Sequence, residues 1–162
     1  MIVIYYSHTG QTEKFVNKFF VDALKEHFTS VTTIRVQADG PHTPITCKEI
    51  NGVPVSDDEP ILIDPSQSVI IVTPTYGRFD HKQGRTVDYT PRAIEQIIED
   101  LDLNPGQISY TIGGNRTFGA DFARPSNVLK NLTFLGAFEL AGSEADAMRI
   151  ADNAYWDHMS LS

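Results

Sequence analysis

The sequence has few of the residues that build covalent cross-links or cysteine-ligated metal sites. Its 162 residues include one cysteine, Cys47, so no internal disulfide can form, and a cysteine-based metal site within one chain is excluded. No run of about 18 apolar residues is present, which argues against a membrane span. The first apolar run begins at Ile2 without a basic segment before it, which argues against a signal peptide. These absences predict a protein of the cytoplasm that has no membrane partner.

Positive charge is also scarce. Lys and Arg number 13 against 21 Asp and Glu, and the resulting net charge of −8 repels phosphate backbones and anionic lipids, so we expect no nucleic-acid partner. The five histidines show no metal-ligand spacing, and no metal site is predicted. With 41% apolar residues, the chain has ordinary globular composition. Its length predicts a single domain over residues 1–162.

Strand signals and helix signals alternate along the chain. Runs of β-branched and aromatic residues predict five buried strands, and apolar residues spaced by three and four predict the helices between them. Parallel neighbouring strands need crossovers that are usually helical, so this order predicts a doubly wound α/β sheet. The predicted strands cover 2–6, 31–36, 69–72, 108–112 and 134–140, and the helices run from 12 to about 27, from Pro91, from about 119 to 131, and from a cap at Ser143.

Two segments interrupt this alternation. Proline and glycine break every candidate element between 37 and 67, which predicts an irregular excursion. Asn51-Gly52 favours a tight turn, so a small hairpin is expected there. Residues 74–90 are expected to form a second long loop.

The loop after the first strand, Ser7-His8-Thr9-Gly10-Gln11-Thr12, leads directly into a helix. Hydroxyls, a glycine and the unpaired N–H groups of a helix N-terminus can hold a phosphate. The loop has no lysine and matches neither the triphosphate nor the dinucleotide glycine motif. A phosphomonoester held by hydroxyls and backbone fits better, and the alternative is a simple helix cap.

This loop resembles that of flavodoxin-like proteins, which binds the phosphate of FMN. Three further runs narrow the resemblance to the NrdI family, the flavodoxin-like accessory proteins of class Ib ribonucleotide reductase. They are Pro74-Thr75-Tyr76-Gly77, Gly114-Asn115-Arg116-Thr117-Phe118-Gly119 and Phe138-Glu139-Leu140-Ala141-Gly142. The resemblance implies a flavodoxin-like five-stranded parallel sheet in the order 2-1-3-4-5, with helices on both faces.

The resemblance also implies the cofactor, FMN, and the residues around it. The phosphate is expected at Ser7, His8, Thr9, Gly10, Gln11 and Thr12. The isoalloxazine is expected between Pro74, Thr75, Tyr76 and Gly77 on one side and Asn115, Arg116, Phe118 and Gly119 on the other. Tyr76 could equally pack its loop onto the sheet, and Phe118 could be a wall residue. No residue is given a catalytic role, because the chemistry belongs to the flavin.

The implied function is the activation of another protein rather than stand-alone catalysis. Reduced FMN and O2 give a superoxide-type oxidant, which assembles the dimanganese-tyrosyl radical cofactor of the small, radical-bearing subunit of class Ib ribonucleotide reductase. A flavin or ferredoxin-type reductase, not identified by the sequence, would supply electrons. Two alternatives stay open: a general flavodoxin-type electron carrier, and a module that has lost its cofactor and only binds a partner.

Basic residues are concentrated in the loops expected around the flavin. They favour the anionic, fully reduced flavin through Coulomb attraction, or they form only a solvated surface. These residues are Arg78, His81, Lys82, Arg85 and Arg116.

Overall fold

β-Strands alternate with helices along the part of the chain that the computed structural model describes. That part comprises residues 1–7, 10–39, 43–56, 59–74, 76–80, 82, 84–89, 91–114, 129 and 131–160, with only the backbone for 76–80 and 85–89. The strands are β1 (Ile2–Tyr6), β2 (Thr32–Gln37), β3 (Cys47–Ile50), β4 (Val53–Val55), β5 (Val69–Pro74), β6 (Tyr76–Asp80), β7 (Arg85–Tyr89), β8 (Ile108–Gly114) and β9 (Thr133–Glu139). The helices are α1 (Gln11–Lys14), α2 (Val21–Lys25), α3 (Arg92–Leu101) and α4 (Glu144–Ser160), with a π-helical segment at Phe15–Phe20 and a 3-10 turn at Pro105–Gln107.

The main sheet has seven strands in the order β4-β3-β2-β1-β5-β8-β9. Its strands β2, β1, β5, β8 and β9 are parallel neighbours, which is the predicted order of five. The prediction of a five-stranded sheet is nevertheless wrong for the sheet as a whole. An antiparallel hairpin, β3–β4, extends it, because β3 pairs with the edge of β2 that would otherwise be open.

Helices cover both faces of the sheet, as predicted. On one face, Ala93, Ile94 and Ile97 of α3 pack against Ile4 and Ile71. The opposite face is covered by the helical segment 11–25 and by α4. Alternate residues of the central strands supply both cores, which explains why β1 and β5 are continuous apolar runs.

The helical segment that follows the first loop is continuous but irregular. Between α1 and α2 the residues Phe15–Phe20 are π-helical, and the N–H of Val21 donates to the carbonyl oxygen of Val16, five residues earlier. This wider turn still buries Phe15, Val16 and Phe20 against the sheet. Apolar spacing predicts a helix here, but it does not distinguish a π-helical turn from an α-helical one.

The excursion between residues 37 and 67 contains the hairpin that Asn51-Gly52 predicts. Asn51 and Gly52 have φ values of 49° and 82°, which suit the tight turns that join antiparallel strands. Asn51 also accepts a hydrogen bond at Oδ1 from the N–H of Thr33, at 3.0 Å, which ties the turn to β2. Lys48 is buried, and its Nζ donates to the carbonyl oxygen of Glu59 at 2.6 Å.

The segment 74–90, expected to be a loop, instead contains a second hairpin. β6 and β7 pair antiparallel as a separate two-stranded sheet, with Tyr76 opposite Tyr89 and Asp80 opposite Arg85. These strands were not predicted because the segment carries several charged residues and has no continuous apolar run. The helix predicted from about 119 to 131 lies almost wholly outside the described residues.

Candidate functional site

The predicted site lies where three neighbouring strands end. β1 pairs with β5, and β5 pairs with β8 in a register that sets Pro74 opposite Gly113. All three strands are parallel, so the loops that follow them leave the same edge of the sheet. In sheets of this kind, ligands bind beyond the carboxyl ends of the strands.

The loop after β1 forms an anchored turn at the start of the helical segment. Ser7 is buried, and its Oγ accepts a hydrogen bond from the N–H of Glu13 at 3.2 Å. Gly10 has φ 89°, a left-handed conformation that glycine adopts without a Cβ penalty, and its carbonyl oxygen accepts from the N–H of Lys14. Gln11 and Thr12 are the first two residues of the helical segment, so their N–H groups have no acceptor within the helix and are candidate donors to an anion.

The residues predicted to border the flavin ring begin at the ends of β5 and β8. Pro74 is the last residue of β5, and Tyr76 and Gly77 open the hairpin β6–β7, where Gly77 pairs with Asp88. Both groups of residues therefore start side by side on the edge that carries the Ser7 loop. His8, Thr9, Thr75, Asn115, Arg116, Phe118 and Gly119 lie outside the described residues.

A buried aromatic pair packs against the end of β8 at this edge of the sheet. Phe15, at the start of the π-helical segment, stacks on Phe138 of β9, and both side chains are fully buried. Gly113 lies directly against the Phe138 ring, so a side chain at position 113 would collide with it. The end of β8 is thereby packed against the helical segment that follows the Ser7 loop.

A charged cluster that sequence analysis did not single out lies beside the Ser7 loop. Arg35 of β2 approaches Glu13 of α1, with Nη2 and Oε2 4.0 Å apart, and Glu49 of β3, with Nη1 and Oε2 3.7 Å apart. Tyr5 of β1 faces the same group, and burial chiefly raises the pKa of its hydroxyl, which is also bonded to Asn17. Tyr5 is therefore an uncharged hydroxyl at neutral pH.

A cavity lined by described residues lies away from the predicted site. It has a volume of about 420 Å³, lies at the opposite edge of the sheet, before the starts of β5 and β8, and is lined by residues such as Ser68, Asn104 and His158. No described group of three or more His, Cys, Asp or Glu side chains is arranged to hold a metal ion. Among the described helices, none is both long enough and apolar enough to cross a membrane.

Comparison with known families decides which flavodoxin-like group this chain represents. The sequence model of the family described as "NrdI Flavodoxin like" matches residues 3–152. The chain belongs to the NrdI flavodoxin-like family. Curated NrdI proteins are similar over shorter stretches. The NrdI protein of Rhodococcus jostii is 23% identical over 112 residues, which are 66% of this chain and 70% of that protein. The NrdI protein of Corynebacterium ammoniagenes is 27% identical over 92 residues, which are 55% of this chain and 62% of that protein.

Solved flavodoxin structures share the fold of this NrdI-family chain. A short-chain flavodoxin associated with a non-canonical PDU bacterial microcompartment superposes with a TM-score of 0.56 and 15% identity, covering 99% of this chain and 96% of the flavodoxin. Two-electron reduced Megasphaera elsdenii flavodoxin superposes with a TM-score of 0.53 and 14% sequence identity. The superposition covers 96% of this chain and 99% of that flavodoxin. At these identities the likeness establishes the flavodoxin-like fold alone.

Proposed function

We propose that this chain binds FMN and, in its reduced form, supplies a superoxide-type oxidant that assembles the dimanganese-tyrosyl radical cofactor of the class Ib ribonucleotide reductase small subunit. The observation that carries the proposal is the family match over residues 3–152. The proposal agrees with the position of the Ser7 loop, which lies beside the ends of β5 and β8.

The described residues fit the phosphate end of FMN. A phosphomonoester needs several donors and no close uncompensated carboxylate. The N–H groups of Gln11 and Thr12 supply donors, and the helical segment adds the partial positive charge of its N-terminus. Gly10 leaves open space, because a Cβ built there would have no atom within 4 Å. A phosphate can therefore approach the backbone closely.

The protein's own residues would bind and orient the cofactor. When bound and reduced, FMN supplies the one-electron reduction of O2 to superoxide. Ser7 holds the first turn of the helical segment in place through Glu13, so the phosphate donors are ordered before the cofactor arrives. Tyr76 and Gly77, which follow the end of β5, set one border of the ring site.

We propose the rim around the flavin as the surface that meets the reductase subunit. The hairpin β6–β7 begins two residues after the end of β5, so it borders the site. Its backbone forms an independent two-stranded sheet rather than part of the main sheet. An oxidant that must reach a metal site in another protein requires such a rim to seal the path from solvent.

Two measurements test this function. First, FMN is titrated into the purified apoprotein and its fluorescence is followed; we expect saturable binding at one site. Second, the reduced holoprotein is mixed with the manganese-loaded small subunit and O2, and the yield of tyrosyl radical is quantified by electron paramagnetic resonance. Radical formation that superoxide dismutase does not suppress would support a sealed transfer.

The outcomes separate the alternatives. Absence of FMN binding would leave only a cofactor-free partner module. FMN binding without radical formation, together with electron transfer to unrelated acceptors, would replace the activator by a general electron carrier. The control is the same assay with the small subunit loaded with manganese but with oxidised holoprotein, which should give no radical.

A further inference from the structure

Arg35 occupies the centre of a row of side chains that crosses three strands. It pairs with Tyr5 of β1 on one side and with Glu49 of β3 on the other. The next residue, Val36, pairs with Tyr6, the last residue of β1, so Arg35 lies close to the edge from which the Ser7 loop emerges. The row is on the face covered by the helical segment 11–25, because Tyr5 belongs to that core.

The guanidinium of Arg35 is shared between two carboxylates. Its contacts are 4.0 Å to Glu13 and 3.7 Å to Glu49, and the exposed fractions of the three side chains are 21% for Arg35, 42% for Glu13 and 26% for Glu49. Its Nε is buried and has no hydrogen-bond acceptor among the described residues. One cation thus faces two anions, and the group carries a net charge of −1.

Glu13 is the member that matters for the loop. It lies in the first turn of α1, and its backbone N–H is bonded to Ser7, so Glu13 belongs to the same turn as the proposed phosphate donors and brings a negative charge to that turn. A phosphomonoester carries about two negative charges at neutral pH, so an uncompensated carboxylate there would oppose binding. Arg35 supplies the compensation, and Glu49 withdraws part of it.

We propose that Arg35 is a positioning residue for the phosphate end of the cofactor, because it holds and neutralises Glu13, and that the hairpin β3–β4 moderates this effect by presenting Glu49. The inference rests on the proposed binding of FMN. It assigns a role to the hairpin that extends the five parallel strands. The charge of the cluster then determines how strongly the site prefers FMN over riboflavin, which has the same ring and no phosphate.

The test measures dissociation constants for FMN and for riboflavin in Arg35→Gln, Arg35→Lys and Glu49→Gln variants of the full chain. We expect Arg35→Gln to weaken FMN binding and Glu49→Gln to tighten it, each by about 2- to 5-fold at low salt, the range given by partly exposed ion pairs. Arg35→Lys keeps the charge and should stay close to the wild type. In Arg35→Gln and Glu49→Gln, riboflavin binding should change by less than FMN binding.

Salt provides a second readout. The differences between variants should shrink in about 0.5 M salt, because counterions screen partly exposed charges. The matched control is Lys25→Gln, which removes one positive charge from the exposed end of α2 and should leave the FMN preference unchanged. Glu49→Gln is expected to tighten FMN binding, and a misfolded protein could not produce that result.

The results distinguish this inference from the proposed function. If the wild type fails to bind FMN, the proposed function is wrong and the inference falls with it. If the wild type binds FMN but Arg35→Gln and Glu49→Gln shift FMN and riboflavin equally, or shift neither, only the role of Arg35 is wrong. Where riboflavin binds too weakly to measure, an unaltered salt dependence of FMN binding in both variants has the same meaning.

Discussion

The rings of Phe15 and Phe138 stack face to face, with their centroids 3.9 Å apart and an angle of 9° between their planes. Two glycines press against this pair. A Cβ at Gly113 would lie 2.5 Å from Cε2 of Phe138, and one at Gly142 would lie 2.5 Å from Cδ1 of Phe15. The end of β8 and the approach to α4 can therefore pack closely only without side chains at these positions.

Gly113→Ala should lower the free energy of unfolding by about 1–3 kcal/mol, because the new methyl group displaces a fully buried ring from a close-packed core. Chemical denaturation followed by circular dichroism measures the change. Gly106→Ala is the control, since a Cβ there meets no atom within 4 Å. An equal stability for both variants would show that the ring moves aside without cost.

Asp157→Asn should stabilise the protein at neutral pH. Burial raises the pKa of Asp157 above its ordinary value, and the charge of His158 offsets this in part. The folded state therefore binds the proton more tightly, and the wild type loses stability as pH rises from about 3.8 through the raised pKa. Asp157 also lies near the carboxyl end of α4, where a negative charge is unfavourable.

The expected gain for Asp157→Asn is roughly 0.3–1 kcal/mol at pH 7, the size typical of a charge at a helix terminus. The gain should vanish below pH 3.8, where the wild-type carboxyl is protonated in both states. Unfolding free energies at several pH values measure it, with the exposed Asp22→Asn as control. A gain that does not depend on pH would contradict the electrostatic explanation.

Gly52→Ala should destabilise the edge hairpin by about 1 kcal/mol, because an alanine at φ 82° is strained. The strands next to the turn are at the edge of the sheet, so we expect faster amide hydrogen exchange in β3 and β4 before any change in β5. Hydrogen exchange with mass spectrometry resolves the two regions. Uniform acceleration across the sheet would mean that the hairpin does not open independently.

Replacing Arg149 and Asn153 together by alanine should increase self-association. Their side chains donate to the carbonyl oxygens of Ala137 at 2.9 Å and Leu135 at 2.7 Å, which covers the outer edge of β9. Uncovered strand edges pair readily with other chains. Sedimentation velocity at rising concentration measures the effect.

Asp146→Ala is the control for the β9 edge, because it removes the ion pair to Arg149 and leaves both covered carbonyl groups in place. Its association should match that of the wild type. If the double variant also matches the wild type, the carbonyl contacts do not protect the edge.

Much of the fold could be predicted because its strands are buried on both faces. β1 and β5 are continuous apolar runs, and Ser143 caps α4 by accepting from the N–H of Asp146, as the sequence indicates. The hairpin β6–β7 could not be predicted in the same way, since its strands carry charges and lie outside the main sheet. The pairing of β3 with β2 could not be predicted either, because a turn motif predicts a hairpin but not the strand with which the hairpin pairs.

The candidate site was likewise only partly predictable from the sequence. The Ser7 loop is contiguous in sequence, so its turn and its donors follow from local residue types. The cluster of Arg35, Glu13 and Glu49 depends on the pairing of β1 with β2 and of β2 with β3. Such pairings join residues that are distant in the chain, and no local pattern marks them.

The strand order also governs how the molecule can be assembled during synthesis. Ile2 pairs with Val69, and β5 pairs with β8, so the centre of the sheet can form only after these later strands have been synthesised. The hairpin β3–β4 closes locally and can form as soon as it leaves the ribosome. The Ser7 loop is made first, and its neighbours at the ends of β5 and β8 are made later. The sheet edge that carries the candidate site is therefore complete only after residue 114 has been synthesised, so the proposed binding of FMN requires most of the chain.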